Sequence, residues 1–123
     1  MWICGVVLMV SYVGMAQPPE VVRALQSLDS EAVGAIMDRR LEITIEDQKG
    51  MVNAREAERR LAGFFEERRP SRHTIVHDAQ SKGASTQYLI GSYVTSTGNY
   101  RSYFFLRERN GAWVIQEIRI EKE

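Results

Sequence analysis

The side chains with the widest chemical range in this chain are two histidines, His73 and His77, spaced by four in the segment RHTIVHDAQ. On a helix that spacing would aim both imidazoles at one metal ion. Pro70 upstream and the β-branched Thr74, Ile75 and Val76 between them favour a strand instead. Four strand residues span about 13 Å, too far for one tetrahedral ion, and no acid cluster at ligand spacing joins them. No metal site is expected. His77 remains a candidate for hydrogen bonding inside a pocket, although Asp78 beside it points to the other face of the strand.

Proton-abstraction chemistry would need a buried carboxylate of raised pKa facing a tyrosine or aspartate donor. Asp38 and Glu42 stand where a helix hands over to a strand, but Asp38 precedes Arg39 and Arg40, and Glu42 lies on the polar side of its strand. Both read as solvated. The sequence has no Gly-x-Ser-x-Gly elbow, phosphate loop or dinucleotide fingerprint. Gly91, inside IGSY, marks a bend or bulge rather than a nucleophile turn. Arg101 stands among apolar neighbours with Tyr103 on the same strand face, and its planar guanidinium could hold a carboxylate or another anion. The candidate binding residues, expected to line a cavity, are His77, Arg101 and Tyr103. No catalytic residue and no cofactor is assigned.

These side chains must be positioned by an α+β arrangement. Pro19 and Glu20 suit a first helical turn, with Val21, Val22, Leu25 and Leu28 on one face. Asp29 or Ser30 caps a second short helix carrying Ala32, Val33 and Ile36. LEITIED alternates as a half-buried strand, and Lys49-Gly50 is expected to break it. Asn53 and Glu56 have capping-box spacing at the start of a helix over residues 54–67, striped by Ala57, Leu61, Phe64 and Phe65. Pro70 ends that helix. HTIVHDA, TQYLIGSYVT, YRSYFFLRER and AWVIQEIRI then form an antiparallel meander.

Taking Thr97-Gly98 and Asn110-Gly111 as two-residue turns sets a register. One face then carries Tyr88, Ile90, Val94, Arg101, Tyr103, Phe105, Val114, Ile118 and Ile120. The other carries Leu89, Tyr93, Phe104, Leu106, Trp113 and Ile115, then Glu117, Arg119 and Glu121. A bulge would exchange members between the faces. With both faces apolar and one layer of helices to cover them, the second is expected to meet a partner subunit.

The 123 residues suffice for one domain, and 16 basic against 16 acidic side chains leave no net charge to draw the chain to nucleic acid or anionic lipid. Trp2 to Val13 is apolar and uncharged, and Gly14 and Ala16 follow at the small-residue positions of a secretory signal. Residues 1–16 are therefore expected to be a cleaved signal peptide and residues 17–123 a single exported domain, periplasmic or secreted, with no membrane span left after cleavage. Cys4, the single cysteine, lies within that signal, so no disulfide framework or thiol chemistry is expected in the mature domain.

The element order, with LEITIED, Phe64-Phe65 before Pro70, His77, Ile90-Gly91, VTSTGNYRSYFFL and the ending IQEIRIEKE, resembles an uncharacterised bacterial family catalogued as domain of unknown function 4783. That family lies within the nuclear transport factor 2-like superfamily, of cystatin-like architecture. The resemblance covers residues 20 to 123. It implies three N-terminal helices packed on a curved, mostly antiparallel sheet shaped as a cone, often paired through the outer sheet face. Elsewhere in the superfamily the cone serves isomerases, dehydratases and non-catalytic binding modules, so the fold alone selects no activity. The expectation is an exported, non-enzymatic domain, homodimeric through its sheet, that binds a small molecule or a protein. The alternatives are a small lyase or isomerase acting in the cone, and a purely structural envelope protein.

Overall fold

The structure is a computed structural model that describes the backbone of residues 19–80 and 85–123 and the side chains of residues 20–76 and 85–123. The expected signal peptide lies outside the described residues. The elements run α1 (Pro19–Leu25), α2 (Ser30–Gly34), β1 (Met37–Ile45), β2 (Gln48–Asn53), α3 (Ala54–Arg68), β3 (Arg72–Gln80), β4 (Thr86–Thr95), β5 (Gly98–Arg109) and β6 (Ala112–Lys122). The six strands form one sheet in the order β2-β1-β6-β5-β4-β3. Every neighbouring pair is antiparallel except β1 with β6, which run parallel.

Local chemistry sets the helix ends. Asp29 caps α2 by accepting from the Glu31 amide at 3.0 Å. Asn53 caps α3 by accepting from the Glu56 amide at 2.8 Å, as the capping spacing predicts. Glu56 does not reach back to the cap; its carboxylate is held by Arg59 and Arg60. Arg69 closes α3 in the left-handed conformation, donating its amide to the Phe65 carbonyl at 2.9 Å, and Pro70 forbids continuation. Leu28 lies beyond the end of α1 at φ 59°, yet still packs against the core.

Three expectations need correction. The helices are not all N-terminal to the sheet, since α3 follows the β1–β2 hairpin. Lys49-Gly50 does not break the strand: the turn comes earlier, at Glu46-Asp47, and residues 48–53 form edge strand β2 against β1. Gly50 is accommodated because the Arg60 guanidinium fills the space where a side chain would stand, 3.0 Å from its Cβ position. The first hairpin of the meander closes as Thr95 opposite Gly98, not opposite Tyr100. Thr95 Oγ1 stabilises this turn, one residue earlier and of the same length, by donating to the Gly98 carbonyl at 2.5 Å and accepting from the Thr97 amide at 3.2 Å. The shift is two residues, so every side chain keeps its face.

The second hairpin is as the sequence implies, with Arg109 opposite Ala112 and positive φ at both Asn110 and Gly111. Beyond it, however, Phe105 pairs with Glu117 while Leu106 pairs with Ile115. Gln116 is an extra residue, a β-bulge. It turns Ile118 and Ile120 inward beside Phe104 and Leu106, where all four are fully buried. Glu117, Arg119 and Glu121 turn outward in exchange. The outer face is therefore less apolar than the unbulged register gives. The inner face holds the core, in which Phe64 of α3 meets Tyr93 and Tyr100 edge-on at 5.3 Å each.

Candidate functional site

Two of the three candidate residues stand on the outer face of the sheet. His77 is opposite Ile90 in the β3–β4 ladder, and its side chain lies outside the described residues. Arg101 and Tyr103 alternate with the buried Ser102 and Phe104, so both stand on the outer face, away from the helices. Arg101 pairs with Glu123 at 3.6 Å and is half-exposed. It does not reach into an interior cavity. Tyr103 lies half-buried beneath Arg119, whose guanidinium carbon is 4.3 Å from the ring centroid.

The two acidic candidates are held in ion pairs. Asp38 accepts from Gln116 Nε2 at 3.1 Å and pairs with Arg109 at 3.3 Å. Those contacts, Gln116 first, hold its carboxyl below the usual carboxylate range, opposite to what a general base at neutral pH needs. Glu42 pairs with Lys49 at 3.2 Å. Among the described residues no group of three or more His, Cys, Asp or Glu could hold a metal ion.

The buried histidine is the other one. His73 is 3% exposed and lies flat on Tyr93, ring centroids 3.8 Å apart. Its Nδ1 is 2.5 Å from the Leu25 carbonyl oxygen, which can only accept, so Nδ1 carries the proton. Nε2 then accepts from the Ser102 hydroxyl at 2.7 Å. Burial pushes the imidazole pKa down to about 4, against the opposing pull of the Leu25 carbonyl. The pair has the outline of a nucleophile and its base, but Ser102 is fully buried and a backbone carbonyl stands where an orienting carboxylate would. It is a sealed polar tie between α1, β3 and β5.

Gly91 makes that tie possible. A Cβ at this position would stand 2.4 Å from the Thr74 carbonyl, 2.9 Å from His73 Nε2 and 3.0 Å from Ser102 Oγ. The missing side chain opens a window across β4 through which His73 reaches two strands away. The β3 bulge at Val76, between the Ile75–Gly91 and His77–Ile90 pairs, adjoins it, as the reading of Gly91 implies.

Two surfaces remain. On the outer face Tyr88 is 41% exposed and packs on Phe105 at 4.8 Å, with Tyr103 two residues along β5. Arg101, Arg107, Arg119, Glu117 and Glu121 share that face. At the other surface, a cleft of about 680 Å³ opens between the β1–β2 turn, residues 45–48, and the C-terminal half of α3. Ile45, Gly63 and Phe64 supply its apolar lining, and Glu46, Asp47, Glu66, Glu67, Arg60 and Arg68 its charges.

The family profile described as "Domain of unknown function (DUF4783)" matches residues 18–121. The chain belongs to the DUF4783 family. A DUF4783 protein from Bacteroides fragilis, of known crystal structure, is 26% identical, with a TM-score of 0.78 over 88% of this chain and all of its own. A second, from Bacteroides ovatus, is 24% identical, with a TM-score of 0.78 over 89% of this chain and 98% of its own. An NTF2-like protein of unknown function from Cytophaga hutchinsonii is 8% identical, with a TM-score of 0.58 over 85% of this chain and 84% of its own. The DUF4783 chain thus has the nuclear transport factor 2-like fold in its α+β, mostly antiparallel form. No curated protein matches it.

Sequence reasoning missed the His73–Ser102 pair and the cleft of this DUF4783 chain. Neither had a local signal. The first depends on the register of three strands, and the second on a turn placed three residues earlier than expected.

Proposed function

We propose that the chain is an exported, non-enzymatic binding domain that works as a homodimer through the outer face of its sheet. The observation that carries this reading is the aromatic patch of Tyr88, Tyr103 and Phe105, bordered on the same face by three arginines and two glutamates. An apolar centre with a rim of both signs is self-complementary: across a two-fold axis, arginines of one copy can meet glutamates of the other. The inner face supports a protein rather than a small-molecule partner, because Phe64, Tyr93, Tyr100 and Phe104 fill the space under the strands. The reading includes a sheet curved round its helices as a cone. The bulges at Val76 and Gln116 support that shape, since each bends its strand.

Export rests on the apolar run before Gly14 and Ala16. Two measurements test the proposal. Sedimentation of the chain from Gln17 at micromolar concentration is expected to give a dimer, and a strict monomer overturns that part. Terminal sequencing of the expressed protein is expected to find Gln17 first, outside the cytoplasm; an intact Met1 inside the cell refutes export.

A further inference from the structure

Two adjacent rows of side chains cross the outer face at right angles to the strands. One row sets Glu117 of β6, Phe105 of β5 and Tyr88 of β4 side by side; the next sets Arg119, Tyr103 and Ile90. Cross-strand partners share a face, so all six point away from the helices, and each is half-buried or exposed.

The two charges in these rows are incompletely satisfied within the chain. Among the described residues, Glu117 has neither an ion pair nor a hydrogen bond. Its neighbour across the β1–β6 ladder, Glu42, adds a like charge and is itself engaged by Lys49 at 3.2 Å. Arg119 Nε lies 3.2 Å from the Glu121 carboxylate but is not aligned to hydrogen-bond it, and that nitrogen is buried. A buried donor without an acceptor costs free energy. An unmatched acid and an unmatched donor thus stand in neighbouring rows, beside the aromatic patch.

Their placement selects one symmetry. A two-fold axis along the strands, between β5 and β6, would set Glu117 on Phe105 of the other copy and bury a carboxylate with no cation beside it. An axis across the strands, between the two rows, exchanges the rows instead. Glu117 then faces Arg119 of the other copy, Phe105 faces Tyr103, and Tyr88 faces Ile90. The strands of the two sheets stay aligned, as in sheets stacked about 10 Å apart.

We infer that the outer face receives a second copy of this chain about a two-fold axis running across the strands between these rows, with Glu117 of each copy paired to Arg119 of the other. This rests on the homodimeric reading of that face and adds the register in which the copies meet. The second copy supplies the acceptor that Arg119 Nε lacks and the cation that Glu117 lacks.

Reciprocal charge exchange tests the register by sedimentation equilibrium on the chain from Gln17. Glu117→Arg sets like charges together at both symmetric contacts, and so does Arg119→Glu. Each variant alone is expected to dissociate at least about a hundredfold more readily than the parent. An equimolar mixture restores opposite charges at both contacts and is expected to form a one-to-one dimer within about tenfold of parental affinity. The milder changes Glu117→Gln and Arg119→Gln cover the case of a reversal that fails to fold. Combined, they are expected to weaken association no more than either alone, because both remove one interaction. If the parent is a dimer but the folded mixture stays monomeric, or the neutral changes weaken association additively, the register is overturned while the homodimer stands. Single reversals that associate as tightly as the parent also overturn it. A monomeric parent overturns the homodimer itself.

Discussion

At His73 the fold decides a protonation state. The imidazole is neutral in the native structure, with a pKa near 4, but binds a proton at about 6.5 once unfolded. Its contacts are the Tyr93 and Phe104 rings, the Ser102 hydroxyl and the Leu25 carbonyl, with no carboxylate among them. The folded pKa is depressed, so the stabilisation is complete above pH 6.5 and is lost as pH falls toward 4. The loss totals about 3 kcal/mol across that window. Urea midpoints between pH 7 and pH 4 are expected to show this slope, and His73→Gln to flatten it while lowering stability at pH 7. An unchanged slope in the variant would show that carboxylates alone set the acid limit; Asp38, for one, loses its stabilisation only as pH falls below the ordinary aspartate value of 3.8. The strand around His73 was legible from Thr74, Ile75 and Val76, and Gly91 was legible as an irregular point. The contact joining them was not, because it spans β3, β4 and β5 and exists only once their registers are fixed.

At the scale of the element, β6 carries the most information per residue. Ile115 and Ile118 are three apart and both buried, which no regular strand permits. Gln116 absorbs the mismatch. Its side chain ties the bulge down, accepting from Arg107 Nε at 2.8 Å and donating to Asp38. Deleting Gln116 sets Glu117 directly after Ile115, so Ile115, Ile118 and Ile120 alternate inward as in a regular strand and the faces are kept. The variant is expected to lose the two Gln116 side-chain hydrogen bonds, at about 1–3 kcal/mol, and still to melt cooperatively by circular dichroism. A non-cooperative melt would mean that the core needs the bend at the bulge as well as the register it sets. The apolar spacing of three was visible in AWVIQEIRI, and reading it as a bulge would have assigned the faces. By contrast, β2 had no such sign: Gln48, Lys49 and Gly50 are poor strand formers, and pairing with β1 overrides their preference.

For the whole molecule, the exposed aromatic patch makes a quantitative demand. Tyr88→Glu places a charge at its centre, on a residue already 41% exposed. Monomer stability should therefore change by less than about 0.5 kcal/mol, while dimer dissociation, read by sedimentation equilibrium, should become at least about tenfold weaker. Equal association of variant and parent would remove the outer face as the contact. The meander was readable as a pattern, and so was the placement of Arg101 and Tyr103 on one common face; which face the helices would cover was not, because that depends on how α3 folds back after β2.

One feature of the sheet also constrains how the chain acquires its shape. The last strand of this sheet in chain order, β6, is inserted between β1 and β5. Until residues 112–122 are in place, the sheet is a two-stranded and a three-stranded fragment with unpaired edges, bridged through helix contacts such as Phe64 with Tyr93 and Tyr100. Completion waits for a parallel contact between the two ends of the domain, the type of long-range closure that slows folding. The sheet therefore stays open until residues 112–122 are available, and loss of that strand divides the sheet at its centre rather than trimming its edge.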